Sequence, residues 1–139
     1  MSAPPPVPQG DYLPARRHRD LIFTSGMTPR EAGVLTHHGP IRASDPLEDH
    51  AEAVRLACRN ALTAARATLA EGEAISAILS LTVYLVTEPG FTAHSRLADI
   101  ASADLRAELG EAGIGSRAAV GVATLPGNAA IEIALVAAV

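Results

Sequence analysis

Residues 75–87 read Ile-Ser-Ala-Ile-Leu-Ser-Leu-Thr-Val-Tyr-Leu-Val-Thr, with Ile75, Ala77, Leu79, Leu81, Val83 and Leu85 at alternate positions. A period of two belongs to a β-strand, whose successive side chains point to opposite faces. One face of this strand is therefore wholly apolar and must be covered by another layer. The other face, formed by Ser76, Ile78, Ser80, Thr82, Tyr84 and Val86, is mixed. Pro89-Gly90 ends the strand.

Two helices are expected to supply the cover. Asp45 suits an N-cap, Pro46 the first helical position and Glu48 the third residue of a capping box. Leu47, Ala51, Val54, Cys58, Ala61, Ala65 and Leu69 then recur on one helical stripe, and Gly72 is a natural stop. A second helix is expected from about Phe91 to Leu109, with Leu97, Ile100, Ala101, Leu105 and Leu109 inward. Glycines 110, 113 and 115 close it as a loop; they neither follow a strand nor open a helix, so they form no phosphate cradle. Leu21-Ile-Phe-Thr-Ser25 reads as a strand, and Val34-Leu35-Thr36 as a hairpin arm after a turn at Pro29–Gly33. Two strands finish the chain, at about Ser116–Thr124 and Ala129–Val139, joined by the turn Leu125-Pro-Gly-Asn128. The order β-hairpin, α, β, α, β-hairpin predicts an α+β domain over residues 11–139, with helices on one face of the sheet. Residues 1–10, rich in Pro, are expected to be an extended and partly mobile leader.

Only 3% of residues are aromatic, so Ala, Val, Leu and Ile must build the core. Small side chains each bury little area, which favours burying further surface against copies of the chain. A net charge of −4 without a basic run argues against nucleic acid as a partner. The single cysteine, Cys58, excludes an internal disulfide and lies on the helical stripe, where it reads as core. His37-His38 reads as a solvated hairpin tip, because adjacent strand residues point apart. His18, His50 and His94 lack ligand-like spacing and read as surface residues. The N-terminus has no signal-peptide pattern and no apolar run suffices to span a bilayer, so a cytoplasmic protein without membrane contact is expected.

The last two strands carry the candidate chemistry. With Leu125 opposite Asn128, Val120 and Val122 would meet Ile133 and Ile131 on the helix-covered face. Arg117, Ala119, Gly121 and Ala123 would then share the other face with Glu132, Ala134, Val136 and Ala138. Two charges on a small, apolar face point to an interface between subunits. In that register Arg117 and Glu132 stand about 14 Å apart along the strands. One small substrate touches both only if they come from different chains. The bland alternative is an intersubunit salt bridge without chemistry.

The stretch from Ser116 to Ile133, with Arg117, Leu125-Pro126 and Ile131-Glu132-Ile133, resembles the C-terminal signature of the RidA (YjgF) family. Leu21-Ile-Phe-Thr-Ser-Gly26 resembles that family's strand ending in Ser-Gly, and Tyr12 lies at the matching distance before it. The resemblance covers about residues 10–139 and implies a chorismate-mutase-like fold. It further implies a mixed sheet with two helices on one face, and a homotrimer with sheets facing its core and sites in the intersubunit clefts. It implies hydrolysis of enamines and imines of the 2-aminoacrylate/2-iminopropanoate type to 2-ketoacids and ammonia, without metal or organic cofactor. Arg117 matches the family's carboxylate clamp and Glu132 its water-positioning acid. Tyr12 and Ser25 match residues that line the pocket with hydroxyl groups, suited to hydrogen bonding a small ligand.

The chain departs from the family pattern at Met27, where Gln is usual, at Ser95, where the deaminases carry a pocket Asn, and at Ala119, where a Cys or similar small residue is usual. These departures mark a divergent subgroup. They keep two rivals open: a non-catalytic module for a small carboxylate, and a specialised hydrolase or cyclase of a dedicated pathway. Some family members carry ribonuclease or translation-inhibitor labels. The acidic charge and sparse aromatics argue against RNA as the main ligand here.

Overall fold

A computed structural model describes residues 4–139; the first three residues of the Pro-rich leader lie outside the described range. The elements are β1 (Ala15–His18), β2 (Leu21–Thr24), β3 (Arg30–Glu31), β4 (Val34–Leu35), α1 (Ala51–Arg66), β5 (Ala77–Val86), α2 (His94–Leu109), β6 (Ser116–Val122) and β7 (Ile131–Ala138). Five strands form one sheet in the order β1-β2-β7-β5-β6, while β3 and β4 form a separate small hairpin. That hairpin turns at Ala32 and Gly33, both at positive φ (51° and 82°), as a two-residue turn of matching twist requires. The α+β class with two helices on one face of a mixed sheet is as expected.

Both helices pack through small side chains. α1 buries Ala51, Ala53, Val54, Ala57, Cys58, Ala61, Leu62, Ala64 and Ala65, and α2 buries Leu97, Ala98, Ala101 and Leu105. Under them lie Ile22, Leu81, Val83, Leu85, Ile131, Ile133 and Leu135 of the sheet. Cys58 is core, as its stripe predicts: its Sγ donates to the Ala101 carbonyl at 3.7 Å. Burial pushes its thiol up to about 12.

Three local expectations need correction. No capping box forms: a 3-10 turn over Leu47–His50 precedes α1, without a side-chain cap. The Asp45 carboxylate instead accepts from the Arg42 amide and His50 Nε2, each at 2.9 Å. His50 is thus a half-buried partner rather than a surface residue. In β5 a bulge between Ile78 and Ser80 reverses the alternation. Ile78 turns inward, and Leu79, expected inside, is 42% exposed.

The third correction bears on the site. β6 and β7 do not pair: β5 lies between them, parallel to β6 and antiparallel to β7. The helix α2 supplies the crossover that a parallel pair requires. A four-residue turn between two alternating runs reads as a hairpin. The connection instead crosses the end of β5, held where Gly39 donates to the Asn128 carbonyl at 3.0 Å. Paired residues on neighbouring strands share a face. Leu81 pairs with Arg117, Val83 with Ala119 and Leu85 with Gly121, so Arg117, Ala119 and Gly121 lie on the helix-covered face. Tyr84 pairs with both Val120 and Glu132, so those two lie on the open face.

The open face is apolar for an exposed surface. Phe23 of β2 is 48% and Val120 of β6 39% exposed, and between these two strands lie Ala134 and Val136 of β7 and Ser80 and Thr82 of β5. Among the described residues, no helix is long and apolar enough to cross a membrane.

Candidate active site

Arg117 rises from β6 against α2. Its Nη1 donates to Asp99 Oδ1 at 2.8 Å and Ser102 Oγ at 2.9 Å. Its Nη2 donates to Ser95 Oγ at 2.8 Å and the Ser95 carbonyl at 3.2 Å. Ser95, Asp99 and Ser102 follow an i, i+4, i+7 spacing and form one helical stripe. The guanidinium is therefore fixed in plane and position, with its side chain 21% exposed. Ser95, which stands where the deaminases carry a pocket Asn, bonds Arg117 through both its hydroxyl and its carbonyl. Asp99 is the residue that sequence reasoning missed. The Ser-x-x-x-Asp-x-x-Ser stripe is its only signal, and it means little until Arg117 is known to face α2. Asp99 is an anion already seated on the arginine, so a ligand carboxylate must displace it or take the remaining Nε edge.

Ala119 follows on the same face, half-buried against the core. Next comes Gly121, where an added Cβ would stand 2.7 Å from His94 Nε2 and 2.9 Å from Thr87 Oγ1. With glycine here the imidazole lies directly on the strand, and any side chain would make it shift. The His94 ring meets Phe91 edge-on at 5.0 Å. With Thr87, Glu88 and Gly121 it walls an open hollow of about 410 Å3. His94 is half-buried and engaged, not the surface residue that its lack of ligand spacing suggests.

Glu132 stands on the other face. Its carboxyl lies against Gly26, where an added Cβ would come within 2.5 Å of Oε2. Burial alone raises its pKa above the ordinary carboxylate range. No arginine, lysine or histidine pairs with it among the described residues. The Ser25 hydroxyl donates to the Leu13 carbonyl at 2.6 Å, and the Ser25 amide to the Pro14 carbonyl, tying the segment before β1 to the end of β2. Tyr12, whose phenolic oxygen accepts from the Gln9 amide, lies with Gly26 and Met27 around a small cavity. Met27 is itself buried and bridges Ile133 through both backbone bonds. The departure from Gln at this position therefore places a thioether in the core.

The six candidate residues thus do not meet in one chain: Arg117, Ser95 and Ala119 gather where β6 meets α2, Glu132 lies on the open face, and Ser25 and Tyr12 lie by the end of β2, Tyr12 sharing its cavity with Asn60 of α1. The expectation that Arg117 and Glu132 share a face is corrected by the strand order. The expectation that one chain cannot join them stands on a different ground, opposite faces rather than spacing along one.

Comparison with known proteins identifies the family and the fold. Residues 2–139 match the family model described as endoribonuclease L-PSP. The chain is 30% identical to protein TCP17 of Trypanosoma cruzi over 115 residues, covering 81% of this chain and 71% of that protein. Among solved structures, it superposes on Atu1372 of Agrobacterium tumefaciens, a protein of unknown function, with a TM-score of 0.85 and 30% identity, covering 93% of this chain and 82% of that one. A candidate endoribonuclease of Shewanella oneidensis MR-1 gives a TM-score of 0.89 at 27% identity, covering 100% of this chain and 92% of its own. Escherichia coli TdcF with bound serine shares the fold, with a TM-score of 0.70 at 22% identity over 97% of this chain and 93% of that one. With the family model spanning all but its first residue, the chain belongs to the endoribonuclease L-PSP family, that of RidA and YjgF.

Proposed function

We propose that the protein hydrolyses small carboxylate-bearing imines and enamines, of the 2-iminopropanoate type, to 2-ketoacids and ammonia in clefts between the subunits of a homotrimer. The observation that carries this reading is the separation of a fixed cation from a desolvated acid. Arg117 is oriented by α2 on one face, and Glu132 on the other is raised in pKa with no cation beside it among the described residues. A second copy of the chain joins the two halves, and the apolar open face around Phe23 and Val120 supplies the surface to be buried.

In such a cleft the guanidinium holds the substrate carboxylate and fixes the imine carbon. The neighbouring subunit's Glu132 holds the attacking water, and burial, by raising its pKa above the ordinary carboxylate value, makes it a better proton acceptor there. Ser95 and Ser102 support the clamp, and Ala119 leaves room beside it. The serine-bound TdcF structure, which shares the fold, supports an amino-acid-sized ligand. The net charge of −4 speaks against RNA, despite the family's name.

A second reading has its own observation: Asp99 already occupies Arg117, which suits a structural ion pair or a binding module without turnover. The experiment that separates the readings generates 2-aminoacrylate with a serine dehydratase and follows pyruvate, with semicarbazide trapping free imine. Faster pyruvate release with this protein supports the deaminase. No acceleration by the folded protein, together with thermal stabilisation by pyruvate, supports the binding module.

A further inference from the structure

The mechanism above leaves one titratable group unused beside the clamp. His94 is the first residue of α2, and Ser95, which holds Arg117, directly follows it. On β6, Ala119 alone stands between Arg117 and Gly121 on the shared face. Gly121 stands four residues along β6 from Arg117, and the hollow beside His94 is lined by Gly121 and not by Arg117, but the long arginine side chain closes the distance: its Nη2 reaches the Ser95 hydroxyl and carbonyl, next in the chain to His94, so a cation and an imidazole meet at one junction between β6 and α2. The floor between them is a methyl group and a bare backbone. The ring of His94 has a defined seat: Gly121 lets its Nε2 come closer to the strand than any Cβ would allow, and Phe91 backs the ring. The imidazole also opens onto the hollow beside Thr87.

We infer that His94 is the proton donor to the nitrogen of a substrate held by Arg117, with Gly121 the residue that positions it. This rests on the deaminase reading of the site. After water has added to the iminium carbon and lost a proton, a carbinolamine remains. The His94 imidazolium gives its proton to the carbinolamine nitrogen. The C–N bond breaks with its electron pair moving to nitrogen, and ammonia leaves. The hydroxyl oxygen forms the carbonyl and its proton passes to solvent, which also reprotonates the imidazole. Donor and clamp then come from one subunit, and the water-holding acid from the next.

Two variants and one spectrum test this. His94→Gln keeps a hydrogen-bonding side chain but cannot donate a proton of this kind. Gly121→Ala puts a methyl carbon 2.7 Å from Nε2 and pushes the ring off its seat. Each is expected to lower kcat about 100-fold, the lower end for one general acid, with KM within a few-fold of wild type. The second measurement titrates pyruvate into the wild-type protein and follows the His94 ring C–H signals by NMR, assigned by their loss in His94→Gln. A saturable shift, absent in Arg117→Ala, is expected. If both variants turn over within twofold of wild type while Arg117→Ala does not, His94 has no such role and the deaminase reading survives. If the wild type does not turn over imines, that reading fails on its own. Pyruvate leaving the His94 signals unmoved overturns the shared junction in either case.

Discussion

The two sides of the sheet treat their charged residue in opposite ways. On the helix-covered side, Arg117 is met by Asp99, Ser95 and Ser102, and its hydrogen bonds are made within the chain. On the open side, Glu132 is desolvated next to Gly26 and has no cation among the described residues. Burial without compensation costs stability and is kept where a partner or a reaction uses it. The difference teaches that Arg117 is held in place by its own chain, whereas Glu132 is left without a counter-charge among the described residues, as the proposed intersubunit site requires.

Breaking the clamp is expected to have the largest effect. Arg117→Ala removes two charge-assisted hydrogen bonds to a substrate carboxylate, together about 3–6 kcal/mol, and should lower kcat/KM by about 100-fold or more in the coupled assay. Sedimentation should show the oligomer unchanged. Next comes the open face: Phe23→Glu places a charge on an apolar surface and should dissociate the assembly. A fall in sedimentation coefficient with loss of activity would show it.

Gly26→Ala sharpens the comparison from the acidic side. Its methyl group cannot share space with the Glu132 carboxyl. The displaced acid should lower kcat about tenfold, with stability reduced by roughly 1 kcal/mol as the close contact is relieved. Asp99→Asn tests the competing anion: removing it should tighten pyruvate binding by about 5-fold or so, as expected for one exposed ion pair released. Calorimetric titration reads this directly. The smallest effect concerns pH. A raised carboxyl pKa favours the protonated form in the folded chain, so its contribution to stability is full below the unfolded value and is lost as pH rises through the folded one. Glu132→Gln should therefore raise the melting temperature slightly at pH 7, with the gain vanishing near pH 4.

Much of the fold was legible because local patterns and tertiary context agree. The apolar alternation of residues 75–87 marks the strand that becomes the middle of the site, and the alanine-rich stripe of α1 marks a helix that must lie close on a sheet. Arg117 and Glu132 were legible as chemistry because charge among small apolar residues is costly. Their faces were not. Alternation along a strand fixes which residues share a face, but not which neighbour the strand takes, and β5 entering between β6 and β7 reverses Arg117 relative to Glu132. Leu79 was misplaced for a related reason, since a one-residue bulge leaves no mark in an apolar run. Asp99 and His94 depend on how α2 lies over β6, a long-range fact that the residues of the helix do not carry.

The central claim is that clamp and acid act across a subunit boundary. Mixing Arg117→Ala with Glu132→Gln, after dissociation and reassembly together, tests it most directly. Each variant alone should be nearly inactive, and the mixture should recover a substantial fraction of wild-type turnover, since some interfaces then pair an intact Arg117 with an intact Glu132. A mixture that reassembles with exchanged subunits yet stays as inactive as its parents would contradict the account.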